Sequence, residues 1–235
     1  MSTTKPQILL TNDDGIRSPG LWAAAASLSD VGFVTVTAPR DQCTGMGRSL
    51  PNTSDGIIRE ERVQVNGQEW SVFAVGGSPA QAVLHGIYDV MKRKPDLVVS
   101  GINYGENVAS GVTISGTVGA ALEAASLGIP SMAISLETDS KYHLSYSTDV
   151  EFPIAAHFAA KFGRMLLEKK FPFDVDLPKV EIPSDAAPDT PRQLIRVSRQ
   201  RYYDPTPAER ASWHEPGTVR YRANGDVDRE PEETV

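Results

Sequence analysis

Residues 7–15 constrain the fold more strongly than any other part of the chain. Residues 8–11 are four consecutive apolar or β-branched residues, which is typical of a short strand buried on both faces of a parallel sheet. The chain then turns polar at once with Asn12, Asp13, Asp14 and Gly15. Ligands bind at the carboxyl ends of strands in open α/β sheets, and adjacent acids there repel each other unless a cation or a proton intervenes. We therefore expect a ligand site at this point.

Short buried strands alternate with helices after this segment. Asn66-Gly67 between two alternating runs predicts an antiparallel hairpin across residues 57–75. Strands are predicted at residues 33–38, 96–100 and 132–135, the last taken as the final strand of the core, and helices at 21–28, 79–92, 117–127 and 150–170. This order predicts an α/β fold with a mainly parallel sheet and one antiparallel hairpin.

The C-terminal part of the chain has a different composition. Residues 171–235 are rich in proline and have few long apolar runs. Strands are conceivable at residues 194–198 and 219–222, while the rest is predicted to form extended arms with a loose acidic end at 226–235. We predict a single domain over residues 1–235, with an α/β core at 1–136 and a C-terminal helix and extended arm at 137–235.

Composition and charge exclude several classes of protein. A net charge of −7 and a pI near 5.2 argue against a nucleic acid polymer as partner, because no basic surface is indicated. The single cysteine, Cys43, excludes an internal disulfide and a cysteine-based zinc site. Residues 1–7 lack an apolar signal region, and no run approaches membrane-spanning length. We therefore predict a cytoplasmic location and no membrane partner.

Three loops that follow predicted strands supply oxygen atoms suited to a metal ion. Asp13 and Asp14 follow the first strand, Thr44 lies in the polar loop after the second, and Asn103 follows the strand at 96–100. They offer two carboxylates, a hydroxyl and an amide carbonyl, without histidine or thiolate. Hard oxygen ligands favour Mg²⁺, Mn²⁺ or Ca²⁺ over zinc or copper.

A possible phosphate-binding segment lies further along the chain. Ser115, Gly116 and Thr117 open a helix, whose free N–H groups and positive dipole end attract anions. Asn107 could donate an amide hydrogen bond to the same anion. A divalent cation beside a phosphate suggests phosphoester hydrolysis. Ser-Gly-Thr before a helix is as typical of an ordinary N-cap as of an anion site, and Asp-Asp-Gly after a strand is often just a turn.

Three motifs of this chain resemble the SurE family of stationary-phase survival nucleotidases. They are ILLTNDDG at residues 8–15, SGINYGEN at 100–107 and SGTVGAA at 115–121. The resemblance covers about residues 7–136, in order and with matching spacing. It implies a Rossmann-like three-layer core with an extended hairpin, placed at residues 57–75 or, with preference, in the proline-rich tail. It also implies an arm exchanged within a homodimer or homotetramer, and hydrolysis of nucleoside 5′- and 3′-monophosphates.

The resemblance further implies the roles of individual residues. One divalent metal ion per subunit, Mg²⁺ or Mn²⁺, is expected to be held by Asp13, Asp14, Thr44 and Asn103, with Asp13 and Asp14 as the catalytic residues. The phosphate-binding set is Asn107, Ser115, Gly116 and Thr117, and Asn12 is expected to orient the two carboxylates. This chain has Thr44 where most of the family has serine, and Ser49-Leu50-Pro51 where the family usually has Ser-Leu-Thr.

Two other functional classes are compatible with acidic residues after the first strand. The first is a receiver-type phosphorylation switch, which needs an acid at the end of the central strand. Residues 97–99 lead instead into Ser100 and Gly101, which argues against this class. The second alternative is a catalytically weakened nucleotide-binding or oligomeric protein of the same fold. His143, near Tyr142 and Tyr146, could reach the edge of the site, but no histidine is needed for the expected chemistry.

Overall fold

The computed structural model describes residues 5–65 and 67–223, which form two compact units. The first unit comprises the described residues up to Glu106 together with Ile114–Thr190. The second comprises Asn107–Thr113 and the described residues from Pro191 onwards. The expected organisation into a core at 1–136 and an arm at 137–235 stays a prediction.

A seven-stranded sheet with the order β3-β4-β2-β1-β5-β6-β7 forms the centre of the first unit. Its strands are β1 (Gln7–Thr11), β2 (Phe33–Pro39), β3 (Ile58–Val65), β4 (Gln68–Val75), β5 (Leu97–Tyr104), β6 (Ser131–Leu136) and β7 (Lys179–Ile182). All neighbours pair in parallel except β3 and β4, which are antiparallel. The predicted α/β class with a mainly parallel sheet is therefore confirmed.

Helices cover both faces of this sheet, which gives three layers. They are α1 (Pro19–Leu28), α2 (Pro79–His85), α3 (Gly116–Ser126) and α4 (Pro153–Leu167). α1 and α4 pack on one face, and α2 and α3 on the other. β1 shows how the sequence produces this arrangement, because successive strand side chains point to opposite faces. Ile8 and Leu10 belong to the core on the α1/α4 side, whereas Leu9 lies in the core on the α2/α3 side.

The structure corrects two predictions in this unit. The strand at residues 132–135 is not the last of the core, since β7 pairs in parallel with β6 beyond it. β7 is an edge strand with only Val180 and Ile182 buried, so its apolar signal is weak. The predicted helix at 79–92 is α-helical only to His85 and continues as a π-helical segment, Gly86–Met91.

The antiparallel pairs lie in both of the places considered for a hairpin. The hairpin predicted for residues 57–75 is confirmed as β3 and β4, while Asn66 in its turn lies outside the described residues. In the second unit, β8 (Tyr203–Thr206) pairs with β9 (Arg220–Ala223), which confirms the strand considered at 219–222. Residues 194–198 form no continuous strand, so that possibility is wrong. The predicted loose end at 226–235 lies outside the described residues.

None of the helices that the structure describes combines the length and the apolar character that a membrane crossing requires.

Candidate active site

The carboxyl ends of β1 and β5 meet where the strand order of the sheet reverses. β1 pairs with β2 on one side and with β5 on the other, and Thr11 lies beside Ser100. Such a reversal is the usual place for ligands in open α/β sheets. Asp13 and Asp14 follow β1 directly, and both are almost completely buried, with 3% and 1% of their surfaces exposed.

A bulge in β5 brings Asn103 to the same place. Ser100 pairs with Ala133 and Asn103 with Ser135, so β5 contains one residue more than β6 over this stretch. Bulges re-aim the side chains that follow them. Gly101 permits this path, because its φ is +133° and a Cβ atom there would overlap the carbonyl oxygen of Ile134.

The amide of Asn103 has a defined orientation. Its Nδ2 donates hydrogen bonds to the carbonyl oxygens of Tyr104 (3.2 Å) and Gly105 (2.7 Å). Since the amino group is engaged there, Oδ1 faces the opposite side and lies 3.1 Å from Thr117 Oγ1. The side-chain carbonyl oxygen of Asn103 thus faces the space next to Asp13.

Asp13 faces the N-terminus of α3. The Thr117 hydroxyl donates a hydrogen bond to Asp13 Oδ1. Burial raises the pKa of Asp13, and this is partly offset by the Thr117 hydroxyl and by backbone hydrogen bonds with Thr117 and Gly116. The approach is so close that a Cβ atom at Gly116 would lie 2.6 Å from Asp13 Cβ. The helix end therefore binds a carboxylate of the protein itself.

Asp14 is buried beside this first carboxylate. Its Oδ2 accepts a hydrogen bond of 3.4 Å from the Tyr104 backbone N–H, and its carboxylate is also hydrogen-bonded to Gln42. The pKa of Asp14 is raised well above its usual value, first because burial penalises the charged form and second because of the charge on Asp13. Because both pKa values are raised, the charged forms of these two neighbouring carboxylates are disfavoured, and a bound cation would stabilise them.

Asn12 closes the turn that carries both aspartates. Its Nδ2 donates to the carbonyl oxygen of Gly15 at 3.1 Å, and its Oδ1 accepts from the Gly15 N–H at 3.2 Å. Asn12 is completely buried, so the bonds are shielded from water. This geometry is compatible with the predicted orienting role of Asn12.

Thr44 is close to the site along the chain but is not enclosed by it. The backbone N–H of its neighbour Cys43 donates to the carbonyl oxygen of Asp13 at 2.7 Å. The same loop is tied to the start of α3, because the Gly47 N–H donates to the carbonyl oxygen of Ile114 at 2.9 Å. Thr44 itself is exposed, and the described residues give its hydroxyl no hydrogen-bond partner.

The predicted phosphate-binding residues divide into three situations. Ser115 Oγ accepts a hydrogen bond of 3.1 Å from the Val118 N–H, so Ser115 caps α3. Gly116 and Thr117 face Asp13, as described above. Asn107 belongs to the second compact unit, and its expected contact with phosphate stays a prediction.

Tyrosine and glutamine side chains that the sequence did not indicate as site residues surround this centre. Tyr146 donates its hydroxyl hydrogen to the carbonyl oxygen of Asp14 at 2.9 Å. Gln42, already bonded to Asp14, donates through Nε2 to the carbonyl oxygen of His143 at 3.0 Å. The clustering of Tyr142, His143 and Tyr146 was the only signal for this segment in the sequence. The His143 ring packs against Gly105, and its Nε2 lies 3.1 Å from the Thr138 carbonyl oxygen.

The donor set fits a hard divalent cation. Asp13 Oδ1, Asn103 Oδ1 and Thr117 Oγ1 converge, although the Thr117 hydroxyl has only one hydrogen to share between two acceptor oxygens. No group of three or more His, Cys, Asp or Glu side chains in the described ranges is arranged to hold a metal ion. Two carboxylates completed by neutral oxygens are compatible with Mg²⁺ or Mn²⁺ rather than zinc.

The fold and the site together define a three-layer α/β protein with a buried acidic, oxygen-lined site at the reversal point of its sheet. The chain belongs to the Survival protein SurE family, whose sequence model matches residues 8–204. The resemblance carried by the three sequence motifs is thereby confirmed.

Individual relatives agree with this assignment over most of the chain. The 5′-nucleotidase SurE of Thermococcus gammatolerans is 44% identical over 87% of this chain and 74% of its own length. The 5′-nucleotidase SurE of Methanosarcina acetivorans is 39% identical over 97% of this chain and 85% of its own length. The crystal structure of the SurE protein from Aquifex aeolicus superimposes with a TM-score of 0.75 at 29% identity, covering 97% of this chain and 87% of that one.

Proposed function

We propose that this protein is a metal-dependent phosphomonoesterase that hydrolyses nucleoside 5′- and 3′-monophosphates to nucleoside and phosphate. The observation that carries the proposal is the convergence of oxygens from Asp13, Asn103 and Thr117 next to buried Asp14. The similarity to relatives named 5′-nucleotidase SurE supports nucleotides as the substrate class.

The proposed cofactor is one Mg²⁺ or Mn²⁺ ion per subunit. Asp13, Asp14 and Asn103 would hold it, and Thr44 would complete the set if its loop turned inward. The supporting observation is that Asp13 Oδ1 and Asn103 Oδ1 both contact Thr117 Oγ1, with Asp14 next in the chain. The chemistry that such an ion supplies is compensation of negative charge and polarisation at the phosphoryl group. The raised pKa values of Asp13 and Asp14 support the need for a cation at this position.

The protein groups themselves position the reacting parts. Asp13 is held by Thr117 and by the first turn of α3, and Asp14 by Tyr104 and Gln42, so neither carboxylate can rotate freely. In the proposed reaction these carboxylates orient a water molecule for in-line attack on phosphorus, while the nucleoside departs. In this proposal the phosphoryl group lies beside Gly116 and Thr117, so that the positive end of the α3 dipole faces both the phosphoryl group and Asp13.

The proposed assembly is a homodimer or homotetramer that exchanges C-terminal arms. Within the second unit, Leu194 and Trp213 expose 97% and 90% of their surfaces, and an exchange of arms would cover such side chains. Light scattering of the full chain distinguishes these assemblies from a monomer. A cytoplasmic location, and the expectation of neither a nucleic acid polymer nor a membrane as partner, stay predictions.

A catalytically weakened nucleotide-binding protein of the same fold is the second candidate. The exposed position of Thr44 favours it, because one of the four expected metal ligands then lies outside the buried cluster. This candidate predicts nucleotide binding without turnover.

Phosphate release from AMP and GMP distinguishes the two candidates. We expect release with Mg²⁺ or Mn²⁺ and none with EDTA, and the same nucleoside 3′-monophosphates should be tested beside them. The Asp13→Ala variant should lose the activity, since it removes the carboxylate at the centre of the cluster. Nucleotide binding without metal-dependent release would contradict the enzyme and support the second candidate, and near-normal activity of Asp13→Ala would contradict the assignment of the site.

A further inference from the structure

The loop between β6 and α4 is fastened to the candidate site at three points. The Tyr146 hydroxyl is bonded to the carbonyl oxygen of Asp14, and Gln42 is bonded to the carbonyl oxygen of His143. The Tyr104 hydroxyl donates to the carbonyl oxygen of Ser147 at 2.9 Å. Because the three partners of the loop come from the ends of β1, β2 and β5, residues 143–147 form a fixed wall of the site.

Tyr146 presents an aromatic ring on this wall. Its hydroxyl is engaged with Asp14, which fixes the direction of the ring, while 42% of its surface is exposed. Among the exposed aromatic residues described in the first unit, it is the one hydrogen-bonded to an expected metal ligand. An aromatic ring that is held in this way and is still partly exposed is a binding surface with little conformational entropy left to lose.

Two further apolar side chains lie next to site residues. Met46, two positions after Thr44, is 43% exposed, and Ile114, directly before Ser115, is 51% exposed. Their segments are joined by the hydrogen bond from the Gly47 N–H to the Ile114 carbonyl oxygen. The segments that carry expected site residues thus also carry exposed apolar side chains, which suits a ligand with a charged phosphate and a large π surface.

We propose that Tyr146 is a specificity-determining residue, whose ring stacks on the nucleobase of a bound nucleoside monophosphate. This inference rests on the proposed function, which places the phosphoryl group at Asp13, Asp14 and Thr117. The base, one ribose away from the phosphate, then lies within reach of the ring beside Asp14. Every base has a π face, so Tyr146 favours nucleotides over other phosphomonoesters, with purines ahead of the smaller pyrimidines.

The test compares AMP with ribose 5-phosphate, which carries the same sugar and phosphate but no base. Loss of one stacking contact is expected to weaken binding about tenfold. For Tyr146→Ala we expect the ratio of kcat/KM for AMP to that for ribose 5-phosphate to fall about tenfold, mainly through a higher KM for AMP. Tyr146→Phe keeps the ring and should keep the ratio. Tyr88→Ala, which removes a tyrosine that is 62% exposed from the segment Gly86–Met91, is the control for the loss of an exposed aromatic ring.

A second measurement separates this inference from the proposed function. Adenosine and ribose, neither of which is consumed, are titrated by NMR into the full chain with Mg²⁺ and inorganic phosphate. We expect the wild-type protein to bind adenosine about tenfold more tightly than Tyr146→Ala does. The two proteins should bind ribose equally. The inference is overturned if adenosine binds no better than ribose, or if Tyr146→Ala lowers kcat/KM equally for both phosphate esters. Absence of phosphate release from both esters would instead overturn the proposed function.

Discussion

Thr117, in the first turn of α3, donates its hydroxyl hydrogen to Asp13, which follows the end of β1. The two residues are separated by 104 positions in sequence and lie on elements that are not adjacent along the chain. The same Thr117 oxygen lies 3.1 Å from Asn103 Oδ1. This threonine therefore connects the three elements that form the site, β1, β5 and α3.

Removing this hydroxyl is expected to loosen the metal site. Thr117→Val keeps the shape of the side chain but leaves Asp13 without its side-chain donor. Loss of a side chain that hydrogen-bonds to a metal ligand typically lowers metal affinity or activity about 10- to 100-fold. Titration of phosphate release against Mn²⁺ concentration should show this loss, and Thr117→Ser should restore most of the affinity. Equal metal affinity in all three proteins would show that the hydrogen bond has no influence on the site.

A side chain at position 116 should displace Asp13. The Cβ atom of Gly116→Ala would lie 2.6 Å from Asp13 Cβ, and overpacking of this kind costs about 1–3 kcal/mol of unfolding free energy. Urea unfolding measures the loss, and metal-dependent activity should fall with it. Gly111→Ala is the matched control, since a Cβ atom there meets no atom within 4 Å. Equal stability of Gly116→Ala and Gly111→Ala would contradict the close approach of residue 116 to Asp13.

Removal of the Asp14 charge should stabilise the metal-free protein and, at the same time, abolish its stabilisation by a metal ion. Asp14→Asn removes the repulsion between two buried carboxylates, so the metal-free variant should have a Tm about 3 °C above metal-free wild type, or roughly 1 kcal/mol. Saturating Mn²⁺ should raise the Tm of wild type but not that of the variant. Differential scanning fluorimetry with EDTA or Mn²⁺ measures both effects. A variant that responds to Mn²⁺ like wild type would exclude Asp14 as a ligand.

The salt bridge between Arg48 and Glu123 anchors the loop that carries Thr44. Arg48 Nε lies 2.7 Å from Glu123 Oε2, and only 7% of the Glu123 side chain is exposed. Arg48→Met leaves this buried carboxylate unpaired, for an expected loss of about 2 kcal/mol in unfolding free energy. Arg62→Met, which breaks the exposed pair with Glu69, should change stability by less than about 0.5 kcal/mol. Similar losses by urea unfolding in both variants would refute this distinction.

Asp55 should make stability depend on pH in the acidic range. The pKa of Asp55 is lowered, first by the Ile57 backbone N–H and then by Arg40. Since the folded-state pKa lies below the unfolded value, this stabilisation is present above the unfolded pKa and is lost as pH falls through the lowered one. The stability difference between wild type and Asp55→Asn should therefore be constant near neutral pH and shrink below pH 3.8, the ordinary value. If the unfolding free energies of the two proteins changed with pH in parallel over this range, the predicted contribution of Asp55 would be wrong.

The elements of the core could be predicted because their signals are local. The apolar run of β1, the capping position of Ser115 and the Asn-Gly turn each depend on residues within a few positions. β7 could not be predicted, because an edge strand with two buried residues has almost no pattern of its own. The site was predicted as a set of residue types, whereas Gln42 and Tyr146 were missed because their contacts join loops far apart in sequence.

The sequence by itself determined the alternation of strands and helices, the family and the polar turn at Asp13 and Asp14, since burial and backbone sterics act over short stretches. Only the tertiary structure decided the directions of the side chains. The β5 bulge aims Asn103 Oδ1 at Thr117, the packing of α3 brings its first turn to Asp13, and the loop after β6 sets Tyr146 on Asp14. Directions of this kind follow from strand register and loop closure, which are fixed only when the whole sheet is assembled.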